Sequence, residues 1–155
     1  MYILGDIGNS ESKVFLVNSK NKVIKNMNFP SKKINNKLLK SKFRYLVKDF
    51  NKIEKILFCS VVPKSFRLIK NFLSKNTKIK CYEVKDLKLK SLINVKVNFN
   101  QVGSDRLTNA ISLANNHKNF IILDFGTATT FDVLMKNSYS GGIIAPGVRL
   151  SLNTL

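Results

Sequence analysis

The sequence predicts an α/β protein built on an internally duplicated motif, and three observations carry that prediction. Apolar, β-rich runs alternate with segments of helical periodicity. The stretch "LGDIGNSESKVFLV" (Leu4–Val17) has an echo in "LDFGTATTFDV" (Leu123–Val133). Each has an apolar run ending in Asp, then an apolar residue, Gly, small hydroxyl or amide residues, and a second β-rich run. A hairpin-plus-strand opening therefore occurs twice, over 2–28 and 119–145. The expected organisation is a first α/β lobe over 1–117 with a mixed sheet, and the start of a second over 118–155. The second copy has three strands and the beginning of a helix, but no equivalent of 53–117.

The elements follow in order. Residues 2–7 read as a buried strand, and 13–18 and 22–28 as strands joined by the turn chemistry of "NSKN" (Asn18–Asn21). Leu38, Leu39, Phe43, Leu46, Val47 and Phe50 fall at helical spacings, giving a helix over 36–51. "KILFCSVV" (Lys55–Val62) is a strand stopped by Pro63, and Phe66, Ile69, Phe72 and Leu73 mark a helix that starts near that proline. A short strand lies near 79–84, and 85–101 is irregular and Lys-rich. Leu107, Ile111, Leu113 and Ala114 give a helix from Ser104 to about Asn116. Strands at 119–124, 128–135 and 141–145 follow, and Pro146–Gly147 opens another helix.

Composition excludes several classes. A hydrophobic content of 44% with 23% charged residues is that of a folded globular protein. No apolar run is long enough to span a bilayer, and "MYILGDIG" carries an Asp and lacks the basic start of a secretory signal. Cys59 and Cys81 form neither a disulfide framework nor a zinc site and read as reduced thiols in a cytoplasmic protein. The net charge of +18 suggests polyanions. Yet only four of the 27 basic residues are Arg, the Lys are interspersed with Asn, and no spaced aromatic row offers a stacking platform. Specific nucleic-acid binding is not expected; weak, salt-sensitive adhesion is. His117 and Cys59 have ordinary structural readings, at a helix end and in an apolar strand.

A carboxylate at a strand end, followed by a Gly-containing turn, places backbone N–H groups and hydroxyls where phosphate oxygens could be held. The Asp would repel a naked phosphate and makes sense beside a hard cation such as Mg²⁺ or K⁺. Two such turns facing a shared cleft would clamp a nucleotide; the alternative is ordinary hairpin punctuation. "GSDR" (Gly103–Arg106) has a capping reading, with Ser104 or Asp105 at a helix N-terminus, and an anion-site reading.

Five ordered blocks carry a resemblance over the whole chain: "DIGNS" (Asp6–Ser10), "SVVP" (Ser60–Pro63), "GSDR" (Gly103–Arg106), "DFGTATTFD" (Asp124–Asp132) and "GGIIAPG" (Gly141–Gly147). In these the chain resembles the type III pantothenate kinases, members of the actin-like and sugar-kinase ATPase superfamily. The resemblance implies duplicated ribonuclease-H-like lobes, the second incomplete here, since full-length members continue well past the Pro-Gly block. It implies ATP-dependent phosphorylation of pantothenate toward coenzyme A, in a cytoplasmic homodimer that uses Mg²⁺ and a monovalent cation, K⁺ or NH₄⁺. Carried over by position, Asp6, Ile7, Gly8, Asn9, Ser10, Glu11, Ser12 and Lys13 line the ATP phosphates, with Asp6 near Mg²⁺. Gly103, Ser104, Asp105 and Arg106 hold pantothenate; Asp105 is the general base and Arg106 pairs with the substrate carboxylate. Asp124 binds K⁺ and Thr127 contacts ATP. Lys96 and Phe99 stand where the family usually has Tyr and Pro. The competing functions are a binding or regulatory protein on the same fold, since relatives described as transcriptional accessory factors share these motifs, and an inactive remnant.

Overall fold

Alternating apolar residues at the N-terminus make a strand whose one face is buried. In the computed structural model, which describes residues 1–153, β1 (Tyr2–Ile7) presents Ile3 and Ile7 to the core with no exposure, Gly5 lying between them. A meander adds β2 (Glu11–Val17) and β3 (Val23–Pro30), both antiparallel, turning through Asn21 at φ 58°. The chain crosses through α1 (Asn36–Leu46) to β4 (Lys55–Ser60), parallel to β1, and through α2 (Pro63–Asn76) to β5 (Cys81–Glu83). The sheet order is β3-β2-β1-β4-β5.

Local chemistry fixes the helix ends. Asn35 caps α1, its Oδ1 accepting the Leu38 N–H at 2.9 Å, and Pro63 occupies the first turn of α2. Helix α1 stops at Leu46, short of the expected residue 51. Val47, β-branched and buried, is extended at φ −121° while its N–H still reaches the Phe43 carbonyl, and Asp49 then caps a separate 3₁₀ turn over Phe50–Lys52. Leu39, Phe43, Ile69 and Leu73 from the two helices share one buried cluster with Ile3, Val14, Leu16, Ile56 and Phe58. Gly5 makes room for Phe58: a Cβ there would lie 2.1 Å from its ring.

The chain divides into two compact units, Met1–Leu87 and Lys88–Leu155. The sequence reading placed the division at 117/118. The difference arises because the Lys-rich segment and the following helix are built onto the later sheet. Residues 85–101 hold 3₁₀ turns and a two-residue strand, β6 (Asn94–Val95), which pairs parallel with β9. Helix α3 (Ser104–Leu113) packs on β7 and β8.

That second sheet has the order β6-β9-β8-β7, with β7 (Asn119–Phe125), β8 (Ala128–Met135) and β9 (Ser138–Pro146) antiparallel neighbours. Helix α4 (Val148–Leu152) follows Gly147. Leu107 and Ala110 of α3 are buried, as are Ile122, Leu134 and Tyr139 of the sheet. The β8–β9 register shifts between Val133↔Gly141 and Leu134↔Tyr139, leaving Ser140 as an extra residue beside Gly141, whose φ is +96°. Aligning Asp6 with Asp124 matches Ile3 with Ile121 and Ile7 with Phe125. Ile3 and Ile7 are fully buried, whereas Ile121 and Phe125 are 70% and 65% exposed.

Candidate active site

Each echoing turn joins two antiparallel strands, and each Asp is the next-to-last residue of the first strand. In the first unit Asp6 lies opposite Lys13 on β2 and Cys59 on β4, and the Cys59 thiol donates to Asp6 Oδ1 at 3.2 Å. Asp6 is therefore on the face of β1 opposite Ile3 and Ile7. The turn is closed by the Gly8 N–H donating to the Glu11 carbonyl at 3.0 Å. Ser31 braces it from behind: its hydroxyl donates to the Gly8 carbonyl at 2.6 Å and lies 2.8 Å from the Ser12 hydroxyl. Asn9, Ser10, Glu11 and Lys13 are exposed, whereas Ile7 and Ser12 are fully buried. Of the expected phosphate-lining stretch, Ile7 and Ser12 thus offer backbone, not side chains.

In the second unit the Gly126 N–H donates to the Ala128 carbonyl at 3.0 Å, and Gly147 backs the turn, its N–H donating to the Thr127 carbonyl at 3.2 Å. Neither Gly8 nor Gly126 has positive φ; among the described glycines only Gly141 does. At this turn close packing demands the glycine at 147, where a Cβ would lie 2.4 Å from the Gly126 carbonyl oxygen and 2.5 Å from that of Thr127.

Helix α3 assembles the rest. Gly103 is its N-cap and Ser104 is buried. Asp105, in the first turn, accepts the Arg106 backbone N–H at 2.8 Å, but Gly103 is the N-cap and no side chain makes a capping bond, so neither Ser104 nor Asp105 is the cap that the sequence suggests; the carboxylate of Asp105 still faces the positive end of the helix dipole. Arg106 grips the buried Asp132 of β8 through Nε at 2.9 and 3.1 Å and Nη2 at 2.6 Å. The Tyr139 hydroxyl donates to the same carboxylate. The bond to Asp132 raises the Arg106 pKa still further, and burial, then that carboxylate, push the Tyr139 phenol up. One turn on, Asn109 Nδ2 donates to Asp124 Oδ2 at 3.2 Å.

The donor set suits a hard cation. Thr130 lies directly opposite Asp124 in the β7–β8 register, so the two share a face, and its shielded hydroxyl oxygen has no hydrogen-bond partner. A carboxylate and an orphaned hydroxyl are oxygen ligands of the kind K⁺ and Mg²⁺ take. Among the described residues no three His, Cys, Asp or Glu side chains cluster to hold a metal. A cation at Asp6 or Asp124 would complete its shell with backbone oxygens, water or phosphate.

Sequence reasoning assigned no role to Asn109, Asp132 or Tyr139. The available signal was Asp132 itself, an acid in the apolar run Phe131–Leu134, on the face of Ile122 and Leu134. A surface cavity of about 360 Å³ lined by Asn36, Lys40, Leu68, Asn71 and Phe72 contains none of the motif residues.

The family described as type III pantothenate kinase matches residues 2–155. The chain belongs to that family. It is 60% identical over its entire length to the type III pantothenate kinase of Pelagibacter ubique, and spans 62% of that relative's length. Solved structures under 25% identical show the fold. A Campylobacter jejuni protein described as a Baf family transcriptional activator superposes with TM-score 0.57 at 19% identity, over 98% of this chain and 58% of its own. The Ppx/GppA phosphatase of Aquifex aeolicus gives 0.52 at 11% identity, over 99% and 54%. The fold is that of the actin-like and sugar-kinase ATPases.

Proposed function

We propose that the protein to which this chain belongs transfers the γ-phosphoryl group of ATP to the primary hydroxyl of pantothenate, the first step toward coenzyme A. One observation carries the reading beyond family membership. A single helix, α3, carries Asp105 and Arg106 together with Asn109, whose amide tethers Asp124, which supports reading Asp105 as the base and Arg106 as the substrate anchor.

Phosphoryl transfer asks mainly for positioning and charge stabilisation, plus one group to orient or deprotonate the attacking hydroxyl. Asp105 serves there: a carboxylate takes the hydroxyl proton as the bond to phosphorus forms. With Nε and Nη2 engaged by Asp132 and the side chain 12% exposed, Nη1 is the nitrogen that Asp132 does not use and that this reading gives to the substrate carboxylate. The resemblance gives the ATP phosphates and Mg²⁺ to Asp6 and the first turn, and a monovalent cation and an ATP contact to Asp124 and Thr127 of the second. Mg²⁺ bound with the nucleotide, and a monovalent cation at Asp124, supply positive charge for the phosphates. From the family resemblance the reading includes a cytoplasmic homodimer, and from the Arg-poor composition no specific nucleic-acid binding; no helix among the described residues is long and apolar enough to cross a membrane.

The test uses the chain extended to the length of its curated relatives. Asp105→Asn should lower turnover by about 10²–10⁴-fold with ATP affinity nearly intact, because Asn keeps the size but takes no proton. Near-normal turnover would make Asp105 an anchor and move the base elsewhere.

A further inference from the structure

We infer that Asp132 and Tyr139 are positioning residues that aim Arg106 and thereby set selectivity for a carboxylate-bearing substrate; the inference rests on the reading of Arg106 given above. An arginine side chain has many rotamers, and its fork recognises a carboxylate only when one edge is presented in a fixed plane. Here the plane is fixed from inside the protein. The Asp132 carboxylate is 1% exposed and takes the Nε–Nη2 edge, so the guanidinium neither swings nor offers that edge to a ligand. Tyr139, fully buried, donates its hydroxyl to the same carboxylate and stops Asp132 from turning away.

Tyr139 reaches Asp132 only because of the bulge at Gly141. In an unbroken register Tyr139 would fall on the face of Ile121 and Ile143. The extra residue returns it to the face of Leu134 and Asp132. A buried ion pair is favourable only when further hydrogen bonds satisfy its carboxylate, and Tyr139 supplies one. Two groups devoted to one arginine in the first turn of α3, next to Asp105, form a device for orientation.

The experiment compares two substrates in the extended protein: pantothenate, and its alcohol analogue in which CH₂OH replaces the carboxylate. Asp132→Asn should raise KM for pantothenate roughly 10–100-fold, the range for losing a bond to a charged group. KM for the alcohol, and kcat for both, should stay within about threefold. Tyr139→Phe, which removes one hydroxyl and little else, should move the pantothenate KM in the same direction by roughly 3–10-fold. It decides the matter should Asp132→Asn not fold. Equal losses on both substrates, or no change in the pantothenate KM, would overturn the inference. Arg106→Gln separates the two levels: if the wild type phosphorylates pantothenate and Arg106→Gln keeps its KM, the anchor assignment falls and this inference with it. If the wild type phosphorylates neither compound, the kinase reading itself is refuted.

Discussion

Replacing Gly147 by Ala tests whether the second turn depends on a neighbour 20 residues away. The backbone at Gly147 is ordinary, at φ −66° and ψ 154°, so an alanine suffers no conformational strain there. The cost is steric. The new methyl would stand 2.4 Å from the Gly126 carbonyl oxygen, 2.5 Å from that of Thr127 and 2.8 Å from the Thr127 carbonyl carbon. All three are backbone atoms of the turn, so relief to an ordinary contact moves the turn by about 1 Å. Overpacking of this kind costs about 1–3 kcal/mol. For a chain of this size that lowers the melting temperature by roughly 3–10 °C. Gly126→Ala is the control: its methyl would meet nothing closer than 3.6 Å, so it should melt as wild type. Thermal denaturation by circular dichroism reads both. A Gly147→Ala protein as stable as wild type, or a Gly126→Ala protein as unstable as Gly147→Ala, would refute the packing argument.

Thr130→Val should leave the ligand-free protein as stable as before or slightly more so, since its hydroxyl has no partner to lose. In the extended protein it should weaken the K⁺ dependence of ATP binding, and Asp124→Asn should remove it; a calorimetric ATP titration across K⁺ concentrations measures both. Burial pushes the Cys81 thiol up to about 12, so Cys81 should resist iodoacetamide at pH 8.5 until the protein unfolds. Because the folded pKa lies above the unfolded value, the associated stability is full below about pH 9 and is lost as pH rises toward 12; Cys81→Val should remove part of that alkaline decline in melting temperature. Ile121 and Ile143, 70% and 68% exposed on one apolar sheet face, should make the 155-residue chain self-associate at micromolar concentration. Light scattering should show Ile121→Lys with Ile143→Lys reducing that association; a monodisperse wild-type monomer would count against it.

What the sequence disclosed follows its local punctuation. Strands β1 and β8 fall at the expected 2–7 and 128–135 because the runs there are followed by the turn residues Gly8-Asn9 and Lys136-Asn137. Helix α1 was overdrawn because Val47 and Phe50 continue the helical spacing, while what ends the helix is the burial of an extended Val47. Tight packing at the second turn is likewise hidden from local sequence. Gly8 and Gly126 look like the residues that a tight turn demands, yet the constrained position is Gly147, whose neighbours are distant in sequence. Asp105, Arg106 and Asp124 were legible because they stand in short motifs. Asp132 closes the motif "DFGTATTFD", but its role was not legible, since its partner Arg106 is 26 residues away; nor was that of Tyr139, whose face depends on a register shift.

That register shift also constrains how the hairpin changes length. Side chains along a strand alternate with a period of two, so the side on which Tyr139 emerges is a matter of odd or even count between it and Gly142. Ser140 is the residue that makes the count come out right. Deleting it alone would restore a regular ladder, which by backbone hydrogen bonding alone looks harmless or beneficial, and would put the tyrosine on the wrong side of the sheet, away from Asp132. Adding one residue beside it would do the same. Insertions between Tyr139 and Gly142 are therefore tolerable in pairs and damaging singly, and a sequence drifting by single codons meets a barrier here that its hydrophobicity pattern does not reveal.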